Sequence, residues 1–353
     1  MNIERRLKLI KEVGEEIITE RDLTELLKEK KHPVAYDGFE PSGRMHLAQG
    51  VLRAININKM IEAGCKFKML IADWHAWANN KMGGDLEKIQ TVGKYFIEVW
   101  KACGLKDIEF LWSNNIVNDK NYWRTVMNVA RNNTVKRITR CAQIMGRRES
   151  ESLSAAQIIY PCMQVADIFY LNADIAQLGM DQRKVNVLAR EIGEKIGFWK
   201  PVVVSHHMLM GLKKPPAGKN TVERAIEMKM SKSKPDSAIF MDDLEEDVKR
   251  KINKAYCPEK DTDNPILEYC RYIIFQRFKK MKIERPEKFG GDIEFENYME
   301  LENAYRKGEL HPMDLKKAVA LYINEILKPV RKHFEKDENA ELLKKVRSWC
   351  KNA

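Results

Sequence analysis

Two short segments carry side chains suited to chemistry on a phosphate. In residues 41–50, a turn is followed by His46 and, three residues later, by Gln49 at the start of a helical stretch. Free N–H groups at a helix start, together with the helix dipole, favour an anion. In residues 229–233, Lys229 and Lys232 stand on a loop of small hydroxyl residues. Mobile lysines can neutralise the charge that develops as pyrophosphate leaves.

Each of these segments alone also fits a simpler explanation. The first reads equally well as an ordinary helix start, and the second as a solvated basic loop. Both occur in one chain, in this order, and they flank an alternating pattern of strands and helices. This combination favours a nucleotide site over two unrelated surface features.

A third pattern indicates a buried pocket. Tyr160, Gln164 and Asp167 recur at i, i+4 and i+7, so on a helix they share one face and can point into one cavity. The alternative is a core tyrosine with a capped aspartate. His75 follows the second strand candidate and faces the same predicted site, although a structural histidine fits nearly as well. The adjacent His206 and His207 would point to opposite faces of a strand and are not expected to bind metal.

The elements that must position these side chains alternate along the chain. The order predicts an α/β fold with a Rossmann-like, doubly wound parallel sheet, whose site lies at the carboxyl ends of the strands. An amphipathic opening from Ile3 to Ile17 predicts a surface helix. Residues 115–170 read as a helical insertion, and the chain after Phe240 as all-helical. We therefore predict a catalytic domain over residues 1–238 and a second domain over 239–353. The strand candidates are residues 34–36, 68–72, 108–112, 175–178 and 202–204.

The composition excludes several classes of protein. The 353 residues are 44% hydrophobic and 32% charged, which predicts a folded, soluble protein rather than a disordered chain. No run approaches the roughly 20 apolar residues of a membrane span, and the charged first residues do not resemble a signal peptide. Seven scattered cysteines without a C-x-x-C pair indicate neither a disulfide framework nor a zinc cage. We expect a cytoplasmic protein without a protein-held metal.

The net charge of +11 is unevenly distributed and points to a polyanionic partner. Residues 239–353 contain 24 Lys and Arg against 23 Asp and Glu, whereas residues 1–238 contain 38 against 28. If RNA is the partner, the first part must hold it electrostatically, and a C-terminal reader must rely on specific contacts. The densest basic cluster is Lys136, Arg137, Arg140, Arg147 and Arg148.

These segments together resemble the class I aminoacyl-tRNA synthetases. Residues 229–233 match the Lys-Met-Ser-Lys-Ser signature completely. Residues 46–49 resemble the His-Ile-Gly-His signature, with Ala48 in place of glycine and Gln49 in place of the second histidine. Residues 36–43, 160–167 and 179–184 are similar to tyrosyl-tRNA synthetases of the archaeal and eukaryotic type, and this similarity extends over nearly the whole chain.

The resemblance implies ATP-dependent activation of tyrosine and its transfer to tRNA(Tyr). Tyr36 and Asp167 would bind the substrate phenol, and a pocket of this kind rejects phenylalanine, as tyrosyl enzymes are known to do. Magnesium would accompany ATP. The residues that would hold the tyrosine ammonium group are Tyr160, Gln164 and Gln182, with His75 near the amino acid and ATP. Those that would contact ATP are His46, Gln49, Lys229, Met230, Ser231, Lys232 and Ser233.

The resemblance also implies contacts with tRNA and with a second subunit. Arg140, Arg183 and Lys184 match positions near the first acceptor base pair. The C-terminal residues Phe289, His311 and Asp314 would read the anticodon, because an aromatic ring can stack on a base and a carboxylate can accept from guanine. A homodimer with its interface in the inserted helices is expected.

Three alternatives stay open at this point. A tryptophanyl-tRNA synthetase shares both signatures, but an indole has no hydroxyl group to pair with Tyr36 and Asp167. A nucleotidylyltransferase without a tRNA substrate would not need the long helical C-terminal part. A non-catalytic RNA-binding protein could reuse a synthetase fold, although the intact lysine loop argues against that.

Overall fold

The computed structural model describes residues 1–141, 145, 152–214, 228, 230 and 235–350. The chain divides into two compact units, and each is described by itself. The first unit contains Met1–Gly43, Asn56–Ile97 and Leu105–His207, and the second contains Arg44–Ile55, Glu98–Gly104 and Met208–Ala353. None of the described helices is long and apolar enough to cross a lipid bilayer. The domain limits at residues 238 and 239 stay a prediction.

The first unit is built on a six-stranded sheet. Its strands are β1 Gly14–Ile18, β2 Val34–Phe39, β3 Lys66–Ile71, β4 Ile108–Trp112, β5 Ile175–Ala176 and β6 Val202–His206. The order across the sheet is β1-β6-β5-β2-β3-β4, with β1 antiparallel and the other strands parallel. The winding direction reverses between β2 and β5, which is where open α/β sheets bind ligands. The predicted α/β class is confirmed.

Ten α-helices occur in the described part of the chain before residue 208. They are α1 Ile3–Val13, α2 Glu20–Glu29, α3 Arg53–Glu62, α4 Asp73–Ala78, α5 Leu86–Ala102, α6 Ser113–Ile116, α7 Lys120–Arg131, α8 Val135–Thr139, α9 Ala155–Tyr170 and α10 Arg183–Ile192. Helices α6 to α9 form the predicted helical insertion. Ser154 and Gln157 make a capping box that fixes the start of α9, and Asp119 caps α7. Side chains of α7 and α9 share one apolar core.

The predicted opening helix from Ile3 to Ile17 is wrong at its end. Helix α1 stops at Val13, and Ile17 lies in β1, paired with Val204 of β6. Apolar spacing alone does not reveal this pairing, because the partner strand lies almost two hundred residues away in the sequence. A local pattern cannot contain that information.

The second unit is mainly helical, as predicted, with one correction. Its helices after residue 208 are α11 Glu245–Lys254, α12 Pro265–Tyr269, α13 Phe275–Arg277, α14 Tyr298–Lys307, α15 Pro312–His333 and α16 Asp337–Cys350. The expectation of an all-helical part missed a two-stranded antiparallel ribbon, β7 Met281–Ile283 with β8 Ile293–Phe295. Helix α11 is tied to α15, because Lys316 Nζ donates to the Asn253 carbonyl at 3.1 Å.

Candidate active site

Tyr36 lies on β2, the strand at the point where the sheet reverses its winding. It is paired with Lys68 of β3 on one side and with Ala176 of β5 on the other. Its ring is buried. A Cβ atom at Gly38 would lie 3.0 Å from the Tyr36 hydroxyl, so the glycine leaves the space that this ring needs. The strand pairing therefore fixes the backbone of this buried tyrosine on both sides.

Tyr160, Gln164 and Asp167 lie on α9, and all three are buried. The predicted i, i+4, i+7 face is thus present as one stripe of polar groups on an otherwise apolar helix. Gln164 Nε2 donates to Gln182 Oε1 at 3.1 Å, which brings the residue before α10 to the same stripe. All six residues predicted to bind tyrosine lie in the first unit, namely Tyr36, His75, Tyr160, Gln164, Asp167 and Gln182.

Asp167 is the centre of this cluster, with three groups converging on its carboxylate. Tyr122 of α7 donates its hydroxyl to Oδ1 at 3.0 Å, and Tyr36 lies close enough for the Asp167 charge to raise its pKa. His75 Nε2 lies 3.0 Å from Oδ2, an ion pair whose N–H direction is poorly aligned with the oxygen. The Asp167 side chain is only 1% exposed. A buried carboxylate of this kind requires several donors.

The pKa values around Asp167 follow from burial and from its charge. Burial raises the pKa of Tyr36 and Tyr122 well above the usual range, and the nearby carboxylate raises both further, so both hydroxyls remain donors. For His75, burial is the largest influence and acts to lower the pKa, but Asp167, Glu40 and Asp73 together outweigh it and the pKa is raised. The surroundings of His75 therefore favour its charged form.

Helix α4 is fixed at its start, and this determines where His75 stands. The buried Asp73 accepts from Ser113 Oγ at 2.6 Å and from the Asn114 N–H at 2.9 Å through Oδ1. Gln90 Nε2 donates to its other oxygen at 3.0 Å. The strand end after β3, helix α5 and helix α6 are thereby joined through one side chain.

A second carboxylate, Glu40, lies beside the other end of the polar stripe. Burial, followed by the charge of the nearby Glu40, raises the Tyr160 pKa well above its usual range. Asn79 Nδ2 donates to Glu40 at 3.0 Å, and Lys81 Nζ lies 3.5 Å away. The His75 ring meets the Tyr160 ring edge to face at 5.1 Å. His75 thus contacts both ends of the polar stripe, because it lies beside Asp167 and its ring packs against Tyr160.

Sequence reasoning missed Tyr122 and Glu40 as members of this site. Glu40 lies within the segment 36–43, and its carboxyl group directly after a strand is the feature of the sequence that could have indicated it. Tyr122 gave no signal of its own, because an aromatic residue in an amphipathic helix is usually part of the core.

The segment that carries His46 belongs to the second unit. Its backbone pairs with residues just after the lysine loop: Leu47 N–H donates to the Ile239 carbonyl at 2.8 Å, and Met241 N–H donates to the Met45 carbonyl at 2.9 Å. The predicted helix start is present, although its first turn, Ala48–Leu52, is π-helical. A backbone of this kind often marks a functional segment.

The backbone of Gln49 is hydrogen-bonded, whereas its side-chain oxygen accepts no hydrogen bond from the described residues. Its carbonyl accepts from Trp100 Nε1 at 2.8 Å. Its Oε1 is buried, and no hydrogen-bond donor reaches it among the residues that the structure describes. A buried acceptor without a donor is uncommon in folded proteins and suits a hydroxyl or amine group of a ligand.

The lysine loop is mostly outside the described residues. This applies to Lys229, Ser231, Lys232 and Ser233, and also to Arg147 and Arg148 of the basic cluster. Met230 is described, and its side chain is buried.

The residues predicted to bind RNA fall into two groups. In the first unit, Arg140 is exposed after α8, Lys184 is half-buried at the start of α10, and Arg183 Nε donates to Glu16 Oε2 at 2.6 Å. In the second unit, Phe289 is 60% exposed on a turn. Arg285 joins that turn to the residues before α15, because it donates to the Gly291 and Glu309 carbonyls at 2.9 Å each.

His311 and Asp314 lie at the start of α15, beside that anchoring point. His311 is exposed and caps the helix, where its Nδ1 accepts from the Met313 N–H at 3.2 Å. Asp314 is half-buried in the first turn. The structure therefore brings the two predicted C-terminal segments to one region of the second unit.

No protein-held metal centre is formed by the described residues. Nowhere among them do three or more His, Cys, Asp or Glu side chains converge in a way that could hold a metal ion. All six cysteines from Cys65 to Cys270 are buried free thiols.

Comparison with known proteins places the chain in a family. The model of the class I tRNA synthetases of the tryptophanyl and tyrosyl group matches residues 28–328. Tyrosine–tRNA ligase 1, cytoplasmic, of Arabidopsis thaliana is 53% identical over 98% of this chain and 89% of that protein. Tyrosine–tRNA ligase of Thermococcus kodakarensis is 43% identical over 98% of this chain and 99% of that protein.

Solved structures give the same relationship at the level of the fold. A tyrosyl-tRNA synthetase from Pyrococcus horikoshii, complexed with L-tyrosine, superposes with a TM-score of 0.92 and 39% identity over 99% of this chain and 100% of that one. A tryptophanyl-tRNA synthetase from Aeropyrum pernix shares only the fold, with a TM-score of 0.65 and 18% identity over 94% of this chain and 84% of that one.

Proposed function

The chain belongs to the class I tRNA synthetases of the tryptophanyl and tyrosyl family, and we propose that it is a tyrosine–tRNA ligase. It activates L-tyrosine with ATP and transfers the activated amino acid to the 3′ end of tRNA(Tyr). The observation that carries this assignment is the buried Asp167 carboxylate with the Tyr36 hydroxyl beside it. An indole offers no hydroxyl group to such a pair, so the tryptophanyl alternative is not favoured.

The tyrosine side chain binds at one end of the polar stripe and its ammonium group at the other. The substrate hydroxyl donates to Asp167 and contacts Tyr36. The ammonium group is held by Tyr160, Gln164 and Gln182, and Glu40 supplies the opposite charge. This division is supported by the position of the two carboxylates at different ends of one α9 face, each already surrounded by hydrogen-bond donors.

The first chemical step needs no side-chain nucleophile. The tyrosine carboxylate attacks the α-phosphorus of ATP in line, the bond between the α-phosphorus and the bridging oxygen breaks, and pyrophosphate leaves with its electron pair. Positioning and charge stabilisation supply the catalysis. His46 and Gln49 contact phosphate and ribose, and the donorless Gln49 oxygen suits a ribose hydroxyl.

The lysine loop completes the ATP site. Lys229 and Lys232 stabilise the departing pyrophosphate, while Met230, Ser231 and Ser233 contact the nucleotide. Mg²⁺ accompanies ATP and is held mainly by phosphate oxygens. In the second step, a hydroxyl group of the terminal tRNA ribose attacks the adenylate carbonyl and AMP leaves.

We place tRNA on both parts of the chain. Arg140, Arg183 and Lys184 approach the first acceptor base pair from a catalytic domain of residues 1–238. The second domain, residues 239–353, reads the anticodon, and its exposed Phe289 beside the start of α15 supports this role. The enzyme acts in the cytoplasm as a homodimer, with its interface in the inserted helices.

ATP–pyrophosphate exchange on the purified full chain, without tRNA, tests the proposal. The assay is run separately with tyrosine, tryptophan and phenylalanine. Exchange with tyrosine alone is expected. Exchange with tryptophan would contradict the assignment of Tyr36 and Asp167 to the phenol group. If none of the three amino acids supports exchange, the ligase assignment is refuted.

A further inference from the structure

The last helix that the structure describes, α16, makes a specific ionic contact with Asp242, which lies just before α11. Arg347 Nε donates to Asp242 Oδ2 at 2.6 Å, and its Nη2 donates to the Asp242 carbonyl at 2.6 Å. The Asp242 side chain is 2% exposed, whereas that of Arg347 is 40% exposed. One guanidinium thus satisfies both a buried carboxylate and the backbone carbonyl of the same residue. This bidentate geometry is demanding and fixes the helix against residue 242.

The same carboxylate holds a second arginine, which belongs to the His46 segment. Arg44 Nε lies 3.0 and 3.1 Å from the two Asp242 oxygens, and its Nη2 donates to Asp243 Oδ1 at 2.9 Å. The Arg44 guanidinium also stacks 4.2 Å from the Phe240 ring centroid. Asp242 therefore connects α16 with a residue two positions before His46.

The backbone between these two arginines leaves little freedom. Residues 45–47 pair with residues 239–241, and His46 and Phe240 face each other in that antiparallel bridge. Arg44 precedes this pairing and Asp242 follows it. The ion pair between them consequently closes one end of the short ladder on which His46 stands.

The neighbouring groups balance the charge and anchor α16 at its other end. Lys251 Nζ donates to Asp243 Oδ2 at 2.6 Å, with both side chains 4% exposed. In the first turn of α16, Asn339 Nδ2 donates to the carbonyl of His333, the last residue of α15, at 3.1 Å. Two buried carboxylates thus face Arg44, Lys251 and Arg347.

We propose that α16 is a positioning element for the ATP-contacting His46 segment and that Arg347 is its key positioning residue. This inference rests on the proposed function, because it concerns the ATP half of the same reaction. Arg347 holds the Asp242 side chain in one position, and Asp242 in turn holds Arg44. Arg44 fixes the start of the short antiparallel pairing that contains His46. Catalysis by positioning is sensitive to displacements of about 1 Å that originate far from the reacting atoms.

The test compares Arg347→Met with Arg347→Lys in tyrosine-dependent ATP–pyrophosphate exchange by the full chain. Arg347→Met is expected to lower kcat/KM for ATP by between about tenfold and a hundredfold, while KM for tyrosine changes by less than about twofold. Arg347→Lys retains the charge and should recover part of the loss. Arg306→Met is the matched control: Arg306 is 59% exposed and pairs with Glu302 on α14. It should leave exchange unchanged.

A double-mutant cycle separates positioning from general destabilisation. If Arg347 acts through the His46 segment, Arg347→Met in a His46→Ala background should cost much less than in the wild type. Independent, multiplicative losses would overturn the inference, as would a parallel rise in KM for tyrosine. Wild-type exchange with tyrosine is measured in the same assay. Its absence would refute the proposed function, whereas normal exchange by the wild type and by Arg347→Met would refute only the role of α16.

Discussion

Replacement of His75 by leucine should destabilise the first unit and weaken tyrosine binding. The His75 and Asp167 side chains are 2% and 1% exposed and approach to 3.0 Å. At an effective dielectric constant of about 20, two unit charges at this distance attract by about 5.5 kcal/mol before desolvation is counted. Loss of one partner from a buried pair costs about 3–5 kcal/mol. Because Asp167 keeps the Tyr122 hydroxyl, we expect the lower end of this range.

The chain offers a matched control at its surface. His207 Nδ1 lies 3.1 Å from Glu15 Oε2, a histidine–carboxylate pair of similar length whose side chains are 19% and 40% exposed. His207→Leu should change the free energy of unfolding by less than about 1 kcal/mol, because solvent screens an exposed pair. Denaturant unfolding measures both variants, and KM for tyrosine in pyrophosphate exchange measures the effect on the pocket. A His75→Leu variant no less stable than His207→Leu would refute the buried-pair argument.

The same pair predicts a pH dependence with a definite sign. The pKa of His75 is raised: burial opposes its charge, but Asp167, with smaller contributions from Glu40 and Asp73, favours it. A raised folded-state pKa means that the stabilisation is complete below the ordinary value of about 6.5 and is lost as pH rises through the higher folded value. The stability difference between wild type and His75→Leu should therefore shrink at alkaline pH. A difference that stays constant, or grows, between about pH 6 and pH 9 would contradict the assignment.

Three further predictions concern individual roles. Asp167→Asn should lower the preference for tyrosine over phenylalanine by about tenfold to a hundredfold, the value of one hydrogen bond to a charged group, measured as a ratio of kcat/KM in exchange. Lys229→Ala should slow adenylate formation by about a hundredfold with little change in tyrosine affinity, measured by rapid-quench kinetics. Asp314→Ala should weaken tRNA charging and leave exchange intact, and an equal loss of both activities would contradict anticodon reading.

The parts of the fold that the sequence revealed are those with a local pattern. The α9 face was predicted because Tyr160, Gln164 and Asp167 follow helical spacing, and the structure places all three on that helix. The strand candidate at residues 108–112 coincides with β4, because a short apolar run between turns is by itself typical of a strand.

The parts that escaped prediction depend on distant partners. Ile17 belongs to β1 only because Val204 pairs with it. The β7–β8 ribbon consists of two three-residue strands joined by three residue pairs, which are too few to produce a visible alternation in the sequence. The convergence of Tyr122 and Asp167 requires α7 and α9 to pack together. This contact is a property of the tertiary structure. The sequence around Tyr122 and the sequence around Asp167 contain no pattern that predicts it.

The place of Tyr36 on a strand paired on both sides has a consequence for hydrogen exchange. Amides of a central, doubly paired strand exchange mainly when a whole cooperative unit opens, whereas loops and strand edges exchange through local fluctuations. The hydroxyl proposed to recognise the substrate is thus attached to one of the least mobile segments of the first unit. Recognition of the phenol group therefore does not require a loop to close at Tyr36. Substitutions that enlarge the pocket at Tyr36 will therefore also lower the stability of the unit that contains it.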